Sequence, residues 1–292
     1  MTPGYESFFG LVERPFSLTP DPKYFFKSRS HSRAIESLTF GLRADKPLLL
    51  VTGDLGVGKT LIARTLVEQL RRRGLVSLLS NPLVTPGELF RLLLSDFGAA
   101  PGTHTSGQGG DATPAELNDQ LIAFLSRLKT PRDGAVVVID EAHTLPVAII
   151  AHLLSLAGVD SGPKLLQLVF LGQSAIGEPG ALGIRAIDEQ STAKVRLLPL
   201  GRDECAAYVA HRLTLAGGGT TPSFTPRAID MLYGVSGGVP RLVNLLCERA
   251  LQEAASHQSH KIEPSMIEAA SSALQLLRAR PRRFRWFTRR VS

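Results

Sequence analysis

The sequence predicts an α/β fold, a parallel five-stranded sheet flanked by helices, followed by a smaller all-helical region. Three observations predict it. Short runs rich in Val, Ile and Leu alternate with amphipathic segments up to about residue 200, the pattern of strand–helix–strand units whose strands are covered on both faces. From Arg202 onward only helical spacing remains. Between an apolar run, Pro47 to Thr52, and an amphipathic run, Leu61 to Leu70, stands Gly53-Asp54-Leu55-Gly56-Val57-Gly58-Lys59-Thr60, a glycine-rich turn in strand–loop–helix context.

That turn has the form G-x-x-x-x-G-K-T. Glycines let the backbone wrap closely, so that successive N–H groups point at phosphate oxygens, and the helix that follows adds its positive end. The candidate nucleotide-binding residues are Gly53, Asp54, Leu55, Gly56, Val57, Gly58, Lys59, Thr60 and Leu61. Lys59 is long enough to reach β- and γ-phosphates, and the Thr60 hydroxyl suits Mg²⁺. The expected cofactors are ATP and Mg²⁺.

The 292 residues suffice for one large or two modest domains. The formal charge of +7 is unevenly spread. Seven arginines and no acids lie in residues 278–292; removing them from the 33 Lys+Arg leaves 26, matching the 26 Asp+Glu. The body is formally neutral, which weighs against nucleic-acid binding inferred from the pI. Cys205 and Cys247 lie far apart with no metal or redox spacing, and read as buried thiols. No basic-then-apolar leader opens the chain, and no apolar run approaches the ~20 residues that span a bilayer. The expected character of the chain is cytoplasmic.

In chain order, residues 1–30 interleave aromatics with prolines. This is an irregular arm over an apolar surface, serving packing or an adenine or subunit contact. Ser32 to Arg43 has helical spacing, Pro47 to Thr52 is the first strand, and Thr60 to Arg73 a helix. Leu75 to Ser80 is a strand; helices open at Pro86 and Pro114, each with proline just inside. The glycine-rich stretch 98–113 separates them, and its His104 has no partner pattern. Ala135 to Ile139 is a buried strand that delivers Asp140-Glu141-Ala142-His143. Downstream of a phosphate loop, Asp140 is the candidate Mg²⁺ ligand, through water or directly, and Glu141 the candidate for orienting the attacking water. His143 hydrogen-bonds near the γ-phosphate or caps the turn. After a helix from Pro146 to Leu156, the strand Leu165 to Gly172 ends at Gln173, a γ-phosphate sensor or a turn residue. Lys194 to Leu198 is the last core strand. Helices follow at about 203–216, 225–234, 239–256 and 264–277. Arg241, behind Gly237-Gly238-Val239-Pro240, is a candidate contact to nucleotide phosphates or a surface arginine. The expected segments are 1–45, an arm and helix; 46–200, the nucleotide-binding region; 201–277, a helical lid; and 278–292, a basic aromatic tail.

Taken together these features resemble the AAA+ ATPases, and more closely their ExeA/GspA-like family. The resemblance is carried by Tyr5 to Leu11, Pro15 to Pro22, Ser28-Arg29-Ser30-His31, the phosphate loop, the Asp140–His143 box, Leu171-Gly172-Gln173 and Gly237 to Asn244. It covers roughly residues 5–275, and relatives serve type II secretion, mannose-sensitive pilus biogenesis and exosortase-linked polysaccharide loci. It implies a cytoplasmic ATPase, peripheral at the inner membrane, whose nucleotide-driven conformational change supports assembly of an envelope machine, a homo-oligomer formed as a ring or on nucleotide binding, and an inner-membrane protein partner. Arginines interleaved with Phe284, Trp286 and Phe287 suit an anionic membrane surface. Where the family carries an arginine for the neighbouring subunit, this chain reads Glu189-Gln190-Ser191-Thr192, with Arg185, Lys194 and Arg196 nearby. That departure keeps open a slowly hydrolysing, nucleotide-gated oligomerisation switch, and the arginine tail, set on phosphates, keeps open a DNA-associated AAA+ protein of the transposition type.

Overall fold

The computed structural model describes residues 4–72, 74–80, 85–99, 112–128, 134–159, 162–173, 187–217 and 222–275. These fall into two compact units, one holding residues 19–199 and the other combining the arm up to Leu18 with residues from Leu200 onward.

In the 19–199 unit, β1 (Leu48–Gly53), β2 (Val76–Leu79), β3 (Ala135–Ile139), β4 (Leu166–Gly172) and β5 (Ala193–Leu197) form one parallel sheet. Its order is β2-β3-β4-β1-β5. The apolar runs of β1 and β3 follow from burial on both faces, whereas edge strand β5 leaves Lys194 and Arg196 exposed. Along β1, Leu48 and Leu50 enter one core with α4 (Pro86–Asp96), α5 (Pro114–Ser126) and α6 (Val147–Leu156). Leu49 and Val51 enter the other, with α2 (Arg29–Arg43) and α3 (Lys59–Leu70). Both α4 and α5 open on a full capping box, Thr85 with Glu88 and Thr113 with Glu116, with proline inside the first turn. The helix from the phosphate loop ends at Leu70, so Arg71 and Arg72 follow it instead of filling its last turn.

Because β4 lies between β3 and β1, their carboxyl ends stand side by side. That edge brings together the loop after β1, the Asp140–Glu141 turn after β3 and Gln173 after β4. It is where open parallel sheets hold ligands.

The other unit is mostly helical: α1 (Tyr5–Phe9), α7 (Arg202–Ala216), α8 (Pro226–Ser236), α9 (Pro240–Ser256) and α10 (Pro264–Ala273). A two-residue parallel ribbon, β6 (Ser223–Phe224) with β7 (Lys261–Ile262), lies in the gaps between the helices that the sequence predicts there. The arm packs on this unit. Tyr5 donates to Glu248 at 2.6 Å, Phe8 stacks on His260 with centroids 4.6 Å apart, and Phe9 and Phe16 are buried. Arg212, itself buried, donates to the carbonyls of Pro15 and Ser17 and to the Tyr208 hydroxyl. Cys205 and Cys247 are buried free thiols; burial pushes Cys205 up to about 11 and Cys247 upward as well.

Candidate nucleotide site

The loop 53–60 turns through two left-handed glycines, Gly56 at φ 80° and Gly58 at φ 108°. A side chain would not fit at its tightest points. A Cβ on Gly53 would approach Val57 to 2.9 Å, and one on Gly58 would approach His31 to 2.8 Å. Lys59 begins α3 and is buried. Its Nζ donates to the Gly53 and Asp54 carbonyls at 3.0 and 3.1 Å, so it curls back over the loop. Burial holds this amine below the usual lysine range, while Glu141, Asp140 and Asp54 oppose the shift.

One contact joins the loop to the acidic turn. The Thr60 hydroxyl donates to Asp140 Oδ2 at 2.5 Å. Asp140, only 3% exposed, accepts on Oδ1 from the Glu141 N–H at 3.0 Å. Both carboxylate oxygens are thereby oriented, one toward the loop and one toward its own backbone. Glu141 has φ 51°, a left-handed conformation rare for a residue with a side chain, and such strain collects at functional turns. The Glu141 Oε2 lies 3.5 Å from His143 Nδ1, and His143 Nε2 lies 3.5 Å from Gln173 Nε2. Glu141, His143 and Gln173 therefore form a row along the sheet edge.

The donors fit a hard divalent cation. A hydroxyl and an oriented carboxylate, Thr60 and Asp140, are the kind of sparse protein set that Mg²⁺ uses alongside water and phosphate oxygens. The curled glycine loop and the Lys59 amine fit a polyphosphate. Leu61 continues the same helix, half-buried, and Leu55 stands exposed at the loop's tip.

Arg241 is exposed on the first turn of α9, in the helical unit. Gly237 and Gly238, at φ 57° and 73°, precede that helix, and a Cβ on Gly238 would strike the Leu200 carbonyl. Arg196 is exposed on edge strand β5, in register with Thr52. Lys194 pairs with Asp188 at 3.1 Å. Arg185, His104 and the tail 278–292 lie outside the described residues.

Sequence reasoning missed two residues of the site. His31, on α2, contacts the loop through the Val57 carbonyl, and Ser28 contacts His31. The signal available was Ser28-x-x-His31 at the head of a helix, a spacing that puts both side chains together on its first turn.

Residues 42–178 match the family described as AAA domain. General secretion pathway protein A of Aeromonas hydrophila is 35% identical over 269 residues, 91% of this chain. The chain spans 48% of that protein's length, about half. Among solved structures, Cdc6p of Pyrobaculum aerophilum gives a TM-score of 0.63 at 15% identity, over 93% of this chain and 75% of that one. ORC2 of Aeropyrum pernix, in ADPNP–ADP complexes, gives 0.62 at 16% identity, over 89% and 71%. The RuvB Holliday junction branch migration motor of Thermotoga maritima gives 0.54 at 18%, over 89% and 72%. At these identities the solved structures establish the fold alone. The sequence match over nine-tenths of the chain goes further: it belongs to the ExeA/GspA-like family of AAA proteins, built on a P-loop NTPase fold.

Proposed function

We propose that this protein binds ATP with Mg²⁺ in the loop 53–60 and hydrolyses it, and that the resulting conformational change serves assembly of a bacterial envelope machine. The observation that carries the reading is the Thr60–Asp140 contact at 2.5 Å, which sets a hydroxyl and a carboxylate beside Lys59 and immediately before Glu141. Gly53 to Leu61 would wrap the phosphates, with Lys59 turning from the Gly53 and Asp54 carbonyls to the β- and γ-phosphates. Thr60 and Asp140 would hold Mg²⁺, which supplies neutralisation of phosphate charge. Glu141 would orient the attacking water, and Gln173, in a row with His143, would respond to the γ-phosphate. Arg241 is the proposed cation of the helical unit. Homo-oligomerisation, an inner-membrane protein partner and a membrane contact through 278–292 belong to the same proposal. The relative's place in a general secretion pathway supports the envelope assignment.

Phosphate release is the test, measured with Mg·ATP for the wild type, Glu141→Gln and Lys59→Ala, with and without anionic vesicles. The expected result is turnover by the wild type. In Glu141→Gln turnover falls about 10²-fold or more with nucleotide binding retained, the scale of a lost general base. In Lys59→Ala binding itself weakens. Absence of phosphate release by the wild type in every condition overturns the hydrolytic reading.

A second reading keeps nucleotide binding and makes hydrolysis slow. It is favoured by Glu189-Gln190-Ser191-Thr192, where the family carries an arginine for its neighbour. Turnover that rises steeply with protein concentration and falls in Arg196→Ala or Arg185→Ala decides against it.

A further inference from the structure

The reading of loop 53–60 as a phosphate site leaves one buried group beside it without a role. His31 is 4% exposed, and its imidazole bridges two partners. Nε2 lies 2.9 Å from the Val57 carbonyl oxygen, and Nδ1 lies 2.7 Å from Ser28 Oγ. A carbonyl only accepts, so Nε2 carries the proton and donates to Val57. Nδ1 is then the acceptor, and the Ser28 hydroxyl donates to it. Ser28 is 2% exposed, and its Oγ also accepts from the His31 backbone N–H at 3.3 Å as the cap of α2. The Val57 carbonyl, which can only accept, fixes the tautomer, and the Ser28 hydroxyl, which can donate or accept, accommodates it. The Phe25 ring, 6.3 Å away at 72°, walls the imidazole.

The consequence lies in the geometry of one peptide. The Val57–Gly58 bond is trans, so its C=O and the following N–H point in opposite directions. With the Val57 carbonyl turned to His31, the Gly58 N–H is directed away from His31. Gly58, at φ 108°, has no side chain to limit its backbone, so a contact from outside the loop can restrain it. The restraint is close-fitting too, because a Cβ on Gly58 would meet His31 Nε2 at 2.8 Å.

We infer that His31 is a positioning residue of the phosphate loop: by donating to the Val57 carbonyl it holds the Gly58 N–H toward the phosphate oxygens of a bound nucleotide. The inference rests on the phosphate-site reading proposed above. A buried histidine that merely fills space between α2 and the loop is the competing account, and the two differ in what substitution does.

Two variants separate them. His31→Gln keeps an amide N–H near the position of the imidazole Nε2, whereas His31→Leu keeps bulk and removes the donor. Affinities for Mg·ATP, Mg·ADP and adenosine are measured, with thermal unfolding of the nucleotide-free proteins alongside. The expected result is that His31→Leu binds ATP and ADP about tenfold more weakly, the scale of one lost hydrogen bond to a buried carbonyl. Adenosine, which has no phosphate, is bound as by the wild type. His31→Gln stays within about threefold of the wild type for all three, on the same reasoning. Wild-type affinity in His31→Leu overturns the inference, as does equal loss in both variants, which would track the imidazole's packing. A wild type that binds no nucleotide overturns the phosphate-site reading itself, and the inference with it. A measurement without substitution stands beside these: nitrogen NMR of the ADP-loaded wild type is expected to show His31 as the Nε2–H tautomer, and the Nδ1–H tautomer would overturn the inference.

Discussion

Asp140 illustrates how one side chain is committed before any ligand arrives. Its Oδ1 accepts from the Glu141 N–H and its Oδ2 from the Thr60 hydroxyl, so the carboxylate plane is fixed from both sides. Burial makes that fixation necessary, because an ionised carboxylate away from water must be satisfied by donors. Asp140→Asn is nearly the same size but turns one acceptor into a donor. The Thr60 hydroxyl then loses an anionic acceptor, and a divalent cation loses the charge that would hold it. The expected outcome is a protein that still folds and binds ATP, with Mg²⁺ affinity of the complex down about 10–100-fold, as for partners that support a metal. Titration of Mg²⁺ into the ATP complex of each protein checks this. An unchanged Mg²⁺ affinity would remove Asp140 from the metal shell.

At the level of elements, the local signals translated directly where short-range physics decides. Both capping boxes are readable as Thr-Pro-x-Glu, and β1, β3 and β4 are β-branched or leucine-rich runs. Helix stability at such a start is separable from the site. Thr85→Ala removes the hydroxyl that accepts from Glu88 N–H, and with it the reciprocal bond from the Thr85 N–H to the Glu88 carboxylate is weakened. Denaturant unfolding is expected to show a loss of about 1 kcal/mol, with nucleotide affinity unchanged; a loss of affinity of more than about threefold, roughly half the effect of a tenfold free-energy step, would tie α4 to the site. Where partners lie far apart in sequence, pattern reading fell short. His31 meets Val57 across 26 residues, and Arg212 meets Pro15 across 197. No periodicity encodes such pairs, because they are set by how packed elements approach one another. The five-residue helix α1 and the two-residue ribbon β6–β7 were equally hidden, being too short to show a period. For the candidate site, loop and acid pair were legible because backbone chemistry dictates their residues locally. The support behind the loop was not.

For the whole molecule the decisive feature is the distribution of charge. Residues 1–277 carry as many cations as acids, and the surplus of seven sits in 278–292 together with Phe284, Trp286 and Phe287. Among the described residues no helix is long and apolar enough to cross a membrane. A neutral body joined to a basic aromatic segment favours an anionic surface over a nucleic acid. The arginines alone would serve DNA phosphates or lipid headgroups alike, and the interleaved aromatic rings, which can enter the interface, favour the lipid surface. Each arginine near such a surface contributes about 1 kcal/mol at ordinary salt, and this falls off within a Debye length. Seven therefore suffice for reversible binding that salt weakens. In flotation with vesicles containing phosphatidylserine, the full chain is expected to rise with the lipid at 0.1 M salt and to stay below at 1 M, the range over which charges are screened. A 1–277 truncation is expected to remain below at both. Equal flotation of the two proteins would move the contact onto the folded units, and flotation of neither would remove the proposed lipid contact.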